Sequence, residues 1–168
     1  MIKVAFQGMN GAYSQEAIHQ YFGDDVETMP CHAFVDLFAA VESQEAEFAI
    51  LPVENAVAGS VNQSYELLAE HDLTIYAEVI LRVRHTLITL HETKPEDIHT
   101  VLSHPQALSQ CQTYLRRHGY TAEANFDTAG SARELAQHPE PGVAVIASAL
   151  AAKLYCLKIV EQGLEDFQ

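Results

Sequence analysis

The chain has 168 residues, 48% of them apolar, with nine Lys and Arg against 23 Asp and Glu for a formal charge of −14. Such a composition can bury a core and argues against disorder, while the acidity excludes nucleic acid and an anionic membrane surface as natural partners. The length fits one domain of about 150 residues, or two small lobes sharing a cleft.

In chain order, Ile2 to Phe6 reads as a short buried strand, followed by the turn Gln7-Gly8-Met9-Asn10-Gly11. Ser14 is placed to cap a helix that buries Ala17, Ile18, Tyr21 and Phe22. A second helix carries Phe34, Leu37, Phe38 and Val41 at helical spacing, and Phe48 to Leu51 is the next strand. Tyr65 to Glu70 is a short helix. Alternation of strand and helix predicts α/β architecture, mostly parallel sheets flanked by helices.

From Thr74 to Leu90 a long β-rich stretch exceeds the usual strand of about five or six residues, and residues 77–90 are expected to cross between lobes. The first lobe is then 1–76 and the second 77–157. In the second lobe, strand His99–Leu102 leads to a helix from about Pro105. A strand near Ala122–Phe126 leads to a helix from about Thr128, and strand Val143–Ala147 to a helix capped by Ser148. Leu157 to Val160 is a last strand, within an incomplete return crossover toward the first lobe over 158–168. Two small lobes with a cleft between them follow.

Polar residues collect at strand ends. Leu51-Pro52-Val53 closes a strand and hands over to Glu54 and Asn55, then to small residues through Gly59 and Ser60. Open α/β sheets bind ligands at the carboxyl ends of their strands, and small residues let backbone N–H groups come close. Ser103-His104-Pro105-Gln106 and Asp127-Thr128-Ala129-Gly130 repeat that layout. Together they predict one small, anionic ligand, held locally by helix starts because Lys3 is the only Lys or Arg before Arg82.

Each group also has a plainer reading. Ser103, Thr128 and Ser148 suit helix caps, and Asn55 and Glu54 could bond their own loop. His104, before Pro105, reads more readily as a packing or turn residue than as a base. Arg82 and Arg84 share one face of an extended strand, suited to a dicarboxylate or to a solvated edge. Glu54 could be a general acid or an ionised orienting group, and sequence leaves both open.

Cys31, Cys111 and Cys156 are odd in number and lack Cys-x-x-Cys spacing, so reduced core thiols of a cytoplasmic protein are expected. Cys111 shares a helical face with Ala107, Leu108, Tyr114 and Leu115. The nine histidines form no ligand motif, so no metal site is predicted. Neither a signal peptide nor a bilayer-spanning run is apparent.

The segments Gln7–Ser14, Leu51–Asn55 with Gly59–Val61, Arg82–His85, Ser103–Leu108, Asp127–Ala132 and Ala147-Ser148 resemble the prephenate dehydratase family, in its order and spacing over essentially the whole chain. The resemblance implies a lyase of phenylalanine biosynthesis that turns prephenate into phenylpyruvate, with two lobes like a type II periplasmic binding protein and no cofactor. It implies catalytic roles for Glu54, Asn55 and Gln106. Substrate contacts are implied for Asn10, Ser14, Ser60, Arg82, Ser103, His104, Thr128, Ala129, Gly130 and Ser148. A homo-oligomer, dimer or tetramer, is expected. Alternatives are an arogenate dehydratase or a non-catalytic module that binds or senses a small anion.

Two departures from the family pattern bear on activity. Ala56 stands where a hydroxyl residue usually follows Glu-Asn. A Thr-Arg-Phe motif, whose Thr is usually assigned the proton-donating role, should follow shortly after Asp166, but the chain stops at Gln168. A truncated, weakly active chain is therefore expected, without the ACT regulatory domain or a chorismate mutase fusion.

Overall fold

The computed structural model describes residues 2–166. They form two compact units, one of the residues up to Met9 with Tyr13–Leu81, the other of Asn10–Ala12 with the residues from Arg82 onward.

The first unit is built on a parallel sheet of β1 (Lys3–Gln7), β2 (Glu27–Cys31) and β3 (Phe48–Ile50), in the order β2-β1-β3. Val4, Ala5 and Phe6 are fully buried in the central strand, as a strand covered on both faces requires. Helix α1 (Tyr13–Phe22) buries Ala17 and Ile18, and α2 (Phe34–Glu42) buries Leu37, Phe38 and Ala40. A small antiparallel hairpin follows, β4 (Glu54–Asn55) and β5 (Gly59–Ser60), and then α3 (Asn62–Glu70).

β2 has no counterpart among the predicted strands. Its sequence, Glu-Thr-Met-Pro-Cys, neither alternates nor forms an apolar run, and Pro30 is tolerated because the strand lies at the sheet edge. Helix α1 begins at Tyr13, so Ser14 lies inside the first turn rather than capping it.

The second unit holds a five-stranded sheet in the order β10-β6-β9-β7-β8, comprising β6 (Thr86–Thr89), β7 (Thr100–Ser103), β8 (Thr121–Ala124), β9 (Val143–Ala147) and β10 (Lys158–Gln162). β9, β7 and β8 are parallel neighbours, while β6 runs antiparallel to β9 and β10 antiparallel to β6. β9 is buried throughout. Val143, Val145 and Ala147 join Ile88, Leu135 and Ala151 in one cluster, and Ala144 and Ile146 join Leu87, Val101 and Leu115 in another. The two-residue period of a strand separates those sets.

β10 covers the expected return crossover, and it pairs with β6 inside the second unit's sheet. The β-rich stretch divides: Thr86–Thr89 is a strand, whereas residues 72–85 carry no helix or strand. The helix expected from Pro105 comes in two pieces, α4 (Pro105–Gln110) and α5 (Gln112–His118), broken at Cys111. Cys111 still packs with Ala107, Leu108, Tyr114 and Leu115. The apolar face survives the break.

Candidate functional site

In the first unit the candidates meet in the hairpin. Glu54 pairs with Ser60 and Asn55 with Gly59, and Gly59 adopts φ +83°, the left-handed region that favours glycine. The Asn55 Oδ1 accepts from the Val57 N–H at 2.9 Å and the Ala58 N–H at 3.0 Å. That is an Asx turn, and it leaves the Asn55 amide N–H groups as that side chain's donors toward anything else. Glu54 and Ser60 are exposed. The buried Ser64 hydroxyl donates to the Pro52 carbonyl at 2.7 Å and fixes the strand end against α3. The sequence reading passed over Ser64, which lies inside a helix with nothing to distinguish it.

In the second unit, the strands β9, β7 and β8 are adjacent and parallel, so their carboxyl ends share one edge of the sheet. From that edge start α7 (Ala149–Leu154), α4 and α6 (Thr128–Gln137). Three helix starts therefore point their positive ends to one side of the sheet, the orientation that favours anions.

Their caps differ from the sequence reading at two of three places. Ser148 does cap α7, its hydroxyl oxygen accepting from the Ala151 N–H at 2.9 Å. α4 is capped instead by His104, whose Nδ1 accepts from the Gln106 N–H at 3.2 Å, leaving Nε2 to carry the proton of the neutral ring. Ser103 is the last residue of β7 and donates to the Ile146 carbonyl at 2.6 Å, tying β7 to β9. α6 is capped by Asp127, which accepts from the Gly130 N–H, so Thr128 is the first residue inside the helix. Asp and Thr are both good caps, and one residue of register decides between them.

Ala129 is buried, and a Cβ on Gly130 would stand 2.8 Å from the Asp127 carboxylate oxygens. Gln106 is exposed in the first turn of α4. The exposed Arg82 and Arg84 alternate with the half-buried Leu81 and Val83, as an extended segment requires.

Asn10–Ala12 belong to this unit although Met9 and Tyr13, on either side of them, do not. The Ser148 hydroxyl donates to the Gly11 carbonyl at 2.6 Å, and the Tyr155 phenol donates to the Asn10 carbonyl at 2.6 Å. Both hydroxyl protons at the ends of α7 are thus committed to the backbone. Neither Tyr155 nor the Asp127 cap was singled out from sequence. The Asp-Thr pair did signal a helix start, but Tyr155 carried no signal.

A family model described as prephenate dehydratase matches residues 4–168. The chain belongs to this family. Among relatives, the chain is 43% identical over 165 residues to arogenate dehydratase/prephenate dehydratase 2, chloroplastic, of Arabidopsis thaliana, covering 98% of the chain and 43% of that protein. It is 37% identical over 167 residues to the bifunctional chorismate mutase/prephenate dehydratase of Neisseria gonorrhoeae, covering 98% of the chain and 46% of that protein. The chain thus spans less than half the length of these two relatives.

The solved prephenate dehydratase of Arthrobacter aurescens in complex with L-Phe superposes with a TM-score of 0.89 at 25% identity, over 98% of this chain and 56% of that one. A structure described as GqqA, a novel type of quorum quenching acylase, superposes with a TM-score of 0.92 at 36% identity, over 98% of this chain and 60% of that one. The junctions of this prephenate dehydratase family member lie among its described residues, where no helix is long and apolar enough to cross a membrane.

Proposed function

We propose that the chain catalyses the decarboxylative dehydration of prephenate to phenylpyruvate. Membership of the family, together with three helix starts along one sheet edge, carries the reading. In this reaction the bond from ring to carboxylate breaks and its electron pair enters the ring. The ring C–O bond breaks as the hydroxyl leaves, with a donated proton, as water. Aromatisation supplies driving force, so orientation and one donor can account for a large share of the acceleration.

The positive ends of the helices that follow His104, Asp127 and Ser148 favour the substrate carboxylates, with Arg82 adding positive charge. Gln106 and the Asn55 amide donate hydrogen bonds to substrate. Glu54 orients a neighbour or acts as the acid, while Asn10, Ser14, Ser60, Ser103, Thr128, Ala129 and Gly130 complete the substrate contacts. Two lobes, 1–76 and 77–157, and a cytoplasmic homo-oligomer remain part of this reading.

A spectrophotometric assay for phenylpyruvate from prephenate tests the proposal; absence of product above the uncatalysed rate removes it. Arogenate is the second reading, favoured by relatives described as arogenate dehydratases at 41% and 42% identity. Larger kcat/KM for arogenate, with phenylalanine as product, would select it. An acylase assay belongs beside these because of the GqqA similarity, although the Ser103 and Ser148 hydroxyls both donate to backbone carbonyls.

A further inference from the structure

Three consecutive residues, Asn10–Ala12, group with the second unit while Met9 and Tyr13 group with the first. They are anchored by one short helix at three points. Ser148, the cap of α7, holds the Gly11 carbonyl, and Tyr155, the residue that closes α7, holds the Asn10 carbonyl. Between them Gly11, at φ +93°, lies so close to α7 that a Cβ would stand 2.9 Å from the Ala151 Cα. A turn that merely joined β1 to α1 would need none of these anchors. Hydrogen bonds at both ends of α7 fix the position of the loop beside the helix start proposed to receive a carboxylate.

We infer that Tyr155 is a positioning residue for substrate, its phenol holding the Asn10 carbonyl so that the Asn10–Ala12 loop keeps the shape prephenate meets. The inference rests on the dehydratase reading and names a residue that reading does not use. Tyr155 is half-buried. Burial, only partly offset by Arg133, raises the phenol's pKa, so it stays a donor at neutral pH.

The test compares the wild-type chain with Tyr155→Phe, which keeps the ring and deletes the donor. Prephenate affinity is read by calorimetry, and amide exchange at Gly11 and Ala12 with and without prephenate. The expected result is roughly tenfold weaker binding for a single lost hydrogen bond, faster exchange at those amides in the free variant, and less slowing by prephenate than in wild type. A merely structural role would leave the ligand-dependent slowing intact. Affinity within twofold of wild type, or unchanged exchange at Gly11 and Ala12, overturns the role of Tyr155 while the dehydratase reading stands. A wild-type chain that binds no prephenate overturns both. Tyr155→Leu repeats the comparison should Tyr155→Phe fail to fold.

Discussion

Ser148 and Gly11 are 137 positions apart in sequence, yet the Ser148 hydroxyl donates to the Gly11 carbonyl at 2.6 Å while accepting from the Ala151 N–H at 2.9 Å. One buried oxygen caps a helix and fixes a loop. Ser148→Ala removes the cap, worth about 1 kcal/mol, and the buried hydrogen bond to the Gly11 carbonyl, worth about 1 kcal/mol net. Unfolding in urea should show a free energy of unfolding lowered by a total of about 2 kcal/mol, seen as a lower midpoint with the slope unchanged. A loss under about 0.5 kcal/mol would mean that water replaces the hydroxyl without penalty.

Gly11 is constrained twice, by its φ of +93° and by the Ala151 Cα and Cβ, each 2.9 Å from where a Cβ would sit. Gly11→Ala should cost about 2 kcal/mol or more from the left-handed backbone and overlap combined. Trimming the neighbour with Ala151→Gly should not rescue it, because the Cα of Ala151 is backbone and as close as the side chain. Thermal unfolding of the two single variants and the double variant would decide this; full recovery in the double variant would place the conflict in the methyl group alone.

The sequence conveyed the strand-to-helix rhythm because its strands are short apolar runs followed by cap residues. Val143–Ala147 was legible to the residue, being buried on both faces and followed by Ser148. What escaped the reading depends on partners far along the chain. β10 looks like a crossover until β6 supplies its neighbour, and β2 lacks any periodic signal at a sheet edge. The candidate site divided in the same way. Ser148 was visible as a cap, whereas His104 was read as a packing or turn residue, and Tyr155 became evident only once its hydroxyl was found on the Asn10 carbonyl.

Asn55 offers a way to separate turn from chemistry. Its Oδ1 serves the Val57 and Ala58 N–H groups, and a carboxylate serves them equally well. Asn55→Asp should therefore fold with an unfolding free energy within about 0.5 kcal/mol of wild type. It should nevertheless lose most turnover, because the donating amide is gone and a negative charge faces an anionic substrate. Asn55→Ala should lose both the turn and the activity. Normal kinetics in Asn55→Asp would confine Asn55 to its own loop.

Cys111 sets a pH dependence. Burial, with Glu165 and Asp166 adding repulsion, raises its thiol from 9.0 to about 12. The fold thus keeps the proton that the unfolded chain releases. Stability from this group is complete below pH 9 and is lost as the pH rises through about 12. Within that window the loss approaches about 1.4 kcal/mol per pH unit. Cys111→Ala starts out less stable because it leaves a small void among Ala107, Leu115 and Ile146, but it carries no thiol to ionise. Tyr114 and Tyr120, both raised chiefly by burial, weaken both proteins at high pH, Tyr114 somewhat more in wild type because Cys111 adds to its shift. The difference in unfolding free energy between the two proteins should therefore shrink from pH 8.5 to pH 10.5 by roughly 1–2 kcal/mol. A constant difference across that range would mean that the thiol titrates in the fold as it does in the open chain.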